Sequence, residues 1–196
     1  HFERSTTARA PLSGLEALDV GCGGGLVAEP LTRLGAHVTG IDPAEDAIAV
    51  AARHAEAMGL PITYRTATTA DLVAEGCQFD LVTALEVIEH VPEPETLVGD
   101  LARLTRPGGL VVLSTLSRTW RAWLLGIVGA EHLLGWLPPG THSWNRFVTP
   151  AELTRMLRQH GLRATALTGV AYDPARETFH TVRDTSVNYM LAAARD

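Results

Sequence analysis

The 196-residue chain has little cysteine and no excess of positive charge. Two cysteines, Cys22 and Cys77, are too few for a disulfide framework, so reduced thiols in a cytosolic setting are expected. The 16 Lys and Arg residues against 22 Asp and Glu give a net charge of -6, which argues against a nucleic-acid partner, because phosphate binding needs a basic face. No uninterrupted apolar run is long enough to span a bilayer. With 46% hydrophobic residues, the chain predicts one globular domain over residues 1–196.

Strand-length apolar runs alternate with helical patterns, which is typical of βαβ units and a parallel sheet. Strands are predicted at 15–20, 36–41, 62–65, 79–85 and 110–115, and helices at 26–34, 44–58, 94–104 and 149–161. Two further strand-like runs, 162–172 and 187–194, follow with no helix between them, so a hairpin and one antiparallel strand are expected. The pattern therefore predicts an α/β fold.

A glycine-rich turn, GCGGG, follows the first predicted strand and opens a helix. Backbone N–H groups point outward at such a place, so it suits a polar or anionic ligand. No Lys-Ser or Lys-Thr follows the glycines, so a P-loop is excluded. A dinucleotide fingerprint is imperfect, because Leu26 stands where its third glycine would be and Asp19 adds a charge to the strand end. A tight turn without any ligand is the remaining structural interpretation.

A second polar cluster follows the fourth predicted strand, near the sheet edge where open α/β folds bind ligands. Glu86, Glu89 and His90 would share one face if this segment turns helically. Converging carboxylates repel unless a cation or protons lie between them. A hard ion such as Mg²⁺ accepts carboxylates, whereas His is more usual for Zn, Fe or Mn. A divalent-metal site and a solvated acidic pair both stay open here.

The order apolar-Asp-apolar-Gly-Cys-Gly-Gly-Gly, with the acid Asp42 ending the next strand, resembles the core of class I S-adenosylmethionine methyltransferases. The resemblance implies a Rossmann-like, seven-stranded, mostly parallel sheet with one antiparallel strand and helices on both faces. It also implies that the glycine turn, with Asp19, Gly21 and Gly23, lies against the cofactor. Asp42 would accept hydrogen bonds from both ribose hydroxyls, which a carboxylate can do bidentately.

Three further stretches carry a narrower resemblance: VTALEVIEHV, the segment from STLSRT to VGAEHLLGWLPPGTH, and VNYM near the end. Together they resemble the ubiquinone-biosynthesis O-methyltransferases, which methylate phenolic hydroxyls of polyprenylated rings. The resemblance covers the chain from about residue 15 onward and implies that Leu85 lies against the adenosine. It also implies that Glu86, Glu89 and His90 match positions that bind a divalent metal in the eukaryotic branch.

The start of the chain departs from that family pattern. HFERSTTARA contains no methionine and reaches the first predicted strand within a few residues, so we expect an N-terminal segment to be missing. In the family that segment carries an Asn-Pro-x-Arg-like stretch whose arginine binds the cofactor. We assign that role to neither Arg4 nor Arg9.

An insertion at about 116–147 contains all four tryptophans of the chain, at positions 120, 123, 136 and 144. It is too broken by glycine and proline to span a bilayer. Tryptophan suits the lipid headgroup boundary, so we expect a lid that touches the membrane through residues 118–144. Core packing is the alternative interpretation. His142 in this insertion is a candidate substrate contact.

The expected activity is O-methylation of a polyprenyl phenol or catechol with S-adenosylmethionine. His90 or Glu89 would act as the general base, or a divalent cation at Glu86, Glu89 and His90 would lower the pKa of the phenol. The expected location is cytoplasmic, at the surface of the inner membrane, with a quinone-biosynthesis complex as a possible partner. Methylation of another small hydroxylated aromatic and a non-catalytic scaffold are the alternatives.

Overall fold

The computed structural model describes residues 1–2, 9–119, 146–173, 176 and 178–196. The strands are β1 Glu16–Val20, β2 His37–Asp42, β3 Thr63–Thr66, β4 Phe79–Leu85, β5 Thr105–Leu116, β6 Leu162–Asp173, β7 Thr178–Val182 and β8 Asn188–Arg195. The helices are α1 Ala28–Arg33, α2 Glu45–Ala57, α3 Thr69–Ala74, α4 Pro94–Leu104 and α5 Pro150–Gln159. The predicted alternation of strands and helices is confirmed.

The sheet has the order β3-β2-β1-β4-β5-β8-β6-β7. Strands β1 to β5 pair in parallel, and β8 pairs antiparallel with both β5 and β6. The first seven strands in this order therefore form the predicted sheet with one antiparallel strand. The prediction missed β7, an eighth strand that pairs antiparallel with the outer part of β6. Its sequence, TFHTV, is short but β-branched and aromatic, which favours a strand.

Helix α3, between β3 and β4, was also absent from the sequence prediction. Its start is fixed by a capping box, in which the Thr68 hydroxyl accepts from the Asp71 amide and the Asp71 carboxylate accepts from the Thr68 amide. The pattern Thr-x-x-Asp before an apolar residue predicts such a start. With six residues, α3 is too short for an apolar period to be recognised.

Hydrophobic side chains fill both faces of the sheet. On β1, Leu18 and Val20 join the larger core with residues of α4 and α5, whereas Ala17 points into the smaller core with Ala28 of α1. Alternation along a strand produces this division, because successive side chains leave opposite faces. Helices on both faces are thus confirmed.

The tryptophan insertion lies almost wholly outside the described residues, as do its four tryptophans and His142. Its N-terminal end is anchored: the Ser117 amide donates to the Val187 carbonyl at 2.8 Å, and Arg118 forms an ion pair with Glu152 of α5. The lid and its membrane contact therefore stay predictions. No described helix is both long enough and apolar enough to cross a membrane.

Candidate active site

A cavity of about 420 Å³ opens at the carboxyl ends of β1 to β4. This is the edge where an open α/β sheet leaves room for a ligand. Residues from all four strand ends and from α4 line it: Val20, Gly21, Ile41, Asp42, Pro43, Ala67, Thr68, Thr69, Glu86, Val87, His90, Val91 and Leu97. Gly21 of the glycine turn therefore meets Glu86 and His90 of the second cluster at one cavity.

The glycines of the turn have different reasons to be glycine. Gly21 has a φ of +65°, and a Cβ there would lie 2.6 Å from a Val87 methyl group, so the segment after β4 packs directly on this backbone. A Cβ on Gly23 or Gly24 would meet no atom within 4 Å. These two positions are the open ones, so they leave space for a ligand to approach the backbone.

Asp42 ties the end of β2 to the glycine turn. Its Oδ2 accepts from the Gly23 amide at 3.0 Å and its Oδ1 accepts from the Ala44 amide at 2.8 Å. Each carboxylate oxygen has a second lone pair, so the side chain can still accept from two hydroxyl groups. Two predicted cofactor residues, Gly23 and Asp42, are thus joined directly.

Asp19 lies beneath the cavity and is only 2% exposed. Its Oδ1 accepts from the Thr83 hydroxyl at 2.7 Å, while no described residue donates a hydrogen bond to its Oδ2. Burial raises the pKa of this carboxyl to about 6, hydrogen bonds from the Thr83 hydroxyl and the Ala28 backbone oppose the rise, and the charge of Asp42 adds to it. A buried acceptor without a donor favours a cationic or hydrogen-bonding ligand group.

The Glu86–His90 segment forms a turn instead of a helix, with the His90 amide donating to the Val87 carbonyl at 2.9 Å. Glu86 and His90 line the cavity, but Glu89 is 3% exposed and its Oε2 accepts from the Thr115 hydroxyl at 2.8 Å. Burial raises the pKa of Glu89, and the charge of Glu86 raises it further. Among the described residues, no three His, Cys, Asp or Glu side chains are placed to hold a metal ion.

Other site residues escaped the sequence prediction. Leu85, a predicted cofactor residue, ends β4 next to the cavity but is not part of its lining. Val87 and Val91 contribute to the apolar lining, and Thr68 and Thr69 contribute hydroxyl groups after β3. Thr68 and Thr69 were findable, since they follow a strand of the parallel sheet at its carboxyl end.

A model of methyltransferase domains matches residues 3–167 of the chain. The ubiquinone biosynthesis O-methyltransferase of Methylobacterium sp. (strain 4-46) is 50% identical over 195 residues, which is all of this chain and 78% of the relative. The enzyme of the same name from Maricaulis maris (strain MCS10) is 48% identical over 196 residues, again all of this chain and 76% of the relative. The chain belongs to the ubiquinone biosynthesis O-methyltransferases.

Solved structures agree with this family. The magnesium protoporphyrin IX methyltransferase of Synechocystis PCC 6803 with bound SAH superimposes with a TM-score of 0.71 and 25% sequence identity, over 94% of this chain and 76% of that one. As a ubiquinone biosynthesis O-methyltransferase, the chain is an enzyme that uses S-adenosylmethionine. Its residues fit that cofactor: open backbone at Gly23 and Gly24, an acid at the end of β2, and an unpaired buried oxygen on Asp19.

Proposed function

We propose that this enzyme transfers a methyl group from S-adenosylmethionine to a phenolic hydroxyl of a polyprenyl phenol or catechol in ubiquinone biosynthesis. The observation that carries the proposal is the 50% identity to a ubiquinone biosynthesis O-methyltransferase across the whole chain. The cavity supports it, because the glycine turn and the polar groups after β4 border the same space.

The cofactor side of the proposal assigns a separate task to each acidic residue. Asp42 accepts the two ribose hydroxyls, for which its free lone pairs suffice. Asp19 accepts from the ammonium group of the methionine part, which would pair its Oδ2. Leu85 lies against the adenosine, and the open faces of Gly23 and Gly24 admit the cofactor to the backbone. Gly21 supports the turn through its contact with Val87.

The substrate side lies around Glu86 and His90. When bound, S-adenosylmethionine supplies an already activated methyl group, so the chain has to orient the phenol and exclude water. A phenol has a pKa of about 10, so its proton needs an acceptor. His90 lines the cavity and is the proposed acceptor. Glu89 is buried and does not line the cavity, so its proposed effect is indirect: its raised pKa lets it hold a proton next to the Glu86 carboxylate.

A divalent cation at Glu86, Glu89 and His90 is the competing proposal for activating the phenol. The described side chains do not gather into a set of three ligands, so we assign no step to a metal. Activity that survives EDTA but falls in His90→Gln supports the histidine. Activity that is abolished by EDTA and restored by Mg²⁺ supports the cation.

The substrate assignment is tested with labelled S-adenosylmethionine on the full-length protein. Wild type should methylate a short-chain prenyl catechol with a higher kcat/KM than catechol itself, because the tail adds apolar surface to bury. Equal turnover of both would favour the alternative, a methyltransferase for another small hydroxylated aromatic. Lack of transfer to either would favour the non-catalytic scaffold.

We also propose contact with the cytoplasmic surface of a bacterial inner membrane, where a prenylated substrate would reside, and participation in a quinone-biosynthesis complex. An exposed aromatic pair supports the membrane contact. The rings of Tyr172 and Phe179 lie with centroids 5.0 Å apart, and Phe179 is 73% exposed. Tyr172 and Phe179 pair with each other where β6 and β7 continue past Val170. Val170 is the last residue of β6 that pairs with β8, and its partner is Asn188.

A further inference from the structure

Asn188, the asparagine of the VNYM stretch, lies at the active-site edge of the sheet. It is the first residue of β8 and pairs with Leu116 at the end of β5. Its Nδ2 donates to Glu86 Oε1 at 3.1 Å. Its Oδ1 is buried, and no described residue donates a hydrogen bond to it. The asparagine therefore connects the C-terminal strand to a residue that lines the cavity.

Glu86 has an unfavourable backbone conformation. Its φ of +55° makes it the only described residue other than glycine with a positive φ. For an L-residue, this left-handed conformation brings Cβ too close to the following carbonyl oxygen and is disfavoured. The Glu86 amide donates to the Ser114 carbonyl at 3.0 Å, which helps to hold the backbone in this conformation.

Two donors converge on a single oxygen of the Glu86 side chain. Ser114 Oγ donates to Oε1 at 2.6 Å, and Asn188 Nδ2 donates to the same oxygen at 3.1 Å. A carboxylate held by two hydrogen bonds from neighbouring strands loses its rotational freedom. Its direction at the cavity is then fixed by β5 and β8 together.

Two local costs occur at this point of the structure. A strained φ at Glu86 and an unsatisfied buried oxygen on Asn188 both lower stability. Such costs concentrate at functional sites, where they maintain a geometry that stability alone would not select. The contact between Asn188 and Glu86 is therefore better explained by a need to orient the Glu86 carboxylate than by a gain in packing.

We infer that Asn188 is a positioning residue, which holds the Glu86 carboxylate in the direction that orients the hydroxyl of the aromatic substrate beside the cofactor. This rests on the proposed function, and it gives the VNYM asparagine a role in catalysis. Asn188 acts through Glu86 and does not itself touch the cofactor, since it is not among the residues that line the cavity.

The test compares Asn188→Ala with Thr168→Ala. Thr168 is half-buried on the neighbouring strand β6, and its hydroxyl donates to the Val182 carbonyl at 3.1 Å, so its removal also deletes one hydrogen bond near β8. Asn188→Ala should lower kcat/KM for the prenyl catechol about 10- to 100-fold, as expected for a hydrogen bond to a charged group. The Kd for SAH, measured by calorimetry, should change less than about threefold. Thr168→Ala should leave both values near those of wild type.

A double-mutant cycle shows whether Asn188 acts through Glu86. In a Glu86→Ala background, Asn188→Ala should cause no further loss of kcat/KM, because the group that it positions is gone. Additive losses, or a parallel weakening of SAH binding, would overturn the inference and assign Asn188 a structural role. If wild type methylates only catechol without a prenyl tail, the proposed substrate is wrong, and the double-mutant cycle is run with that catechol instead. Wild type that methylates no phenol overturns both.

Discussion

Single side chains at the cavity divide into those that are proposed to hold the cofactor and those that hold each other. Asp42 belongs to the first group, although its two oxygens already accept from the Gly23 and Ala44 amides. Its carboxylate is thus oriented before any ligand arrives. A preoriented acceptor loses little entropy on binding, which favours tight binding of a hydroxylated sugar.

Asp42→Asn tests this role. The variant keeps one acceptor but loses the charge, so the Kd for SAH should rise on the order of 10- to 100-fold. Asp46→Asn is the matched control, because Asp46 is an exposed acid in the first turn of α2, four residues further along the chain. Isothermal titration measures both. Equal affinities of the two variants would contradict the assignment.

Removing the ionisable group of Asp19 should increase the stability of the fold in a pH-dependent way. Its pKa is raised from 3.8 to about 6, mainly by burial. Between these values the folded state keeps a proton that the unfolded state has lost, so wild-type stability falls as the pH rises and stays lower above pH 6. Asp19→Asn cannot ionise, so without cofactor it should be more stable than wild type by up to about 3 kcal/mol at about pH 8.

Urea unfolding of wild type and Asp19→Asn at about pH 4 and about pH 8 measures this difference. The gain should shrink to less than about 1 kcal/mol near pH 4, where the folded carboxyl is protonated and the unfolded one is only partly ionised. A gain of equal size at both pH values would mean that packing, not charge, limits stability at this site. SAH binding to the same variant should weaken, because the proposed partner of the cofactor ammonium group is lost.

Site residues that carry a local sequence signal could be predicted, and those placed by contacts between distant parts of the chain could not. The glycine turn with Gly21 and Gly23 follows from local glycine spacing after a strand, whereas the role expected of Asp42 came from the resemblance to class I methyltransferases. Asn188 did not follow, because its contact with Glu86 joins residues 102 positions apart. The conformation of the Glu86–His90 segment was equally hidden, since the structure has a turn in place of the predicted helical one and no sequence pattern predicts the positive φ of Glu86.

Among the elements, the glycine turn depends on the edge strand β3. A Cβ on Gly40 of β2 would lie 2.7 Å from the ring of Tyr64, and the Tyr64 hydroxyl lies where a Cβ on Gly25 would be. The ring therefore spans β2 and reaches the turn from the side of α1 and α2. Gly25 and Gly40 make room for Tyr64, whereas Gly24 faces open space.

This difference predicts opposite outcomes for two glycine substitutions. Gly40→Ala should destabilise the fold by about 1–3 kcal/mol through overpacking, and less so in a Tyr64→Ala background. Gly24→Ala should keep the urea midpoint of wild type yet weaken SAH binding at least tenfold, because its methyl group would occupy the space left for the cofactor. Unchanged SAH affinity of Gly24→Ala would mean that the cofactor does not approach there.

The elements with strong local signals were predicted, and those without them were not. Helix α4 spans Pro94–Leu104 as predicted, because proline and an acid mark its start. Helix α3 and strand β7 are short, with six and five residues, so tertiary packing decides their conformation more than any period of apolar residues.

At the scale of the whole molecule, the rings of Tyr172 and Phe179 in the β6–β7 hairpin form an exposed apolar surface at the far end of the sheet from β3. Phe179→Ser should reduce co-sedimentation with vesicles of phosphatidylglycerol and phosphatidylethanolamine, since it removes an exposed ring from the proposed contact. Met58→Ser is the control, because Met58 is 50% exposed at the end of α2, away from this hairpin. Equal loss in both variants, or none in either, would contradict a contact through the hairpin.

The ion pair between Arg118 and Glu152 of α5 closes the base of the segment that joins β5 to α5. With both ends fixed, the entropy of closing the connection grows only logarithmically, by about 0.6 kcal/mol for each doubling of its length. Shortening or lengthening the connection between these two anchors should therefore change stability little, while the sheet and the cavity at its edge keep their geometry.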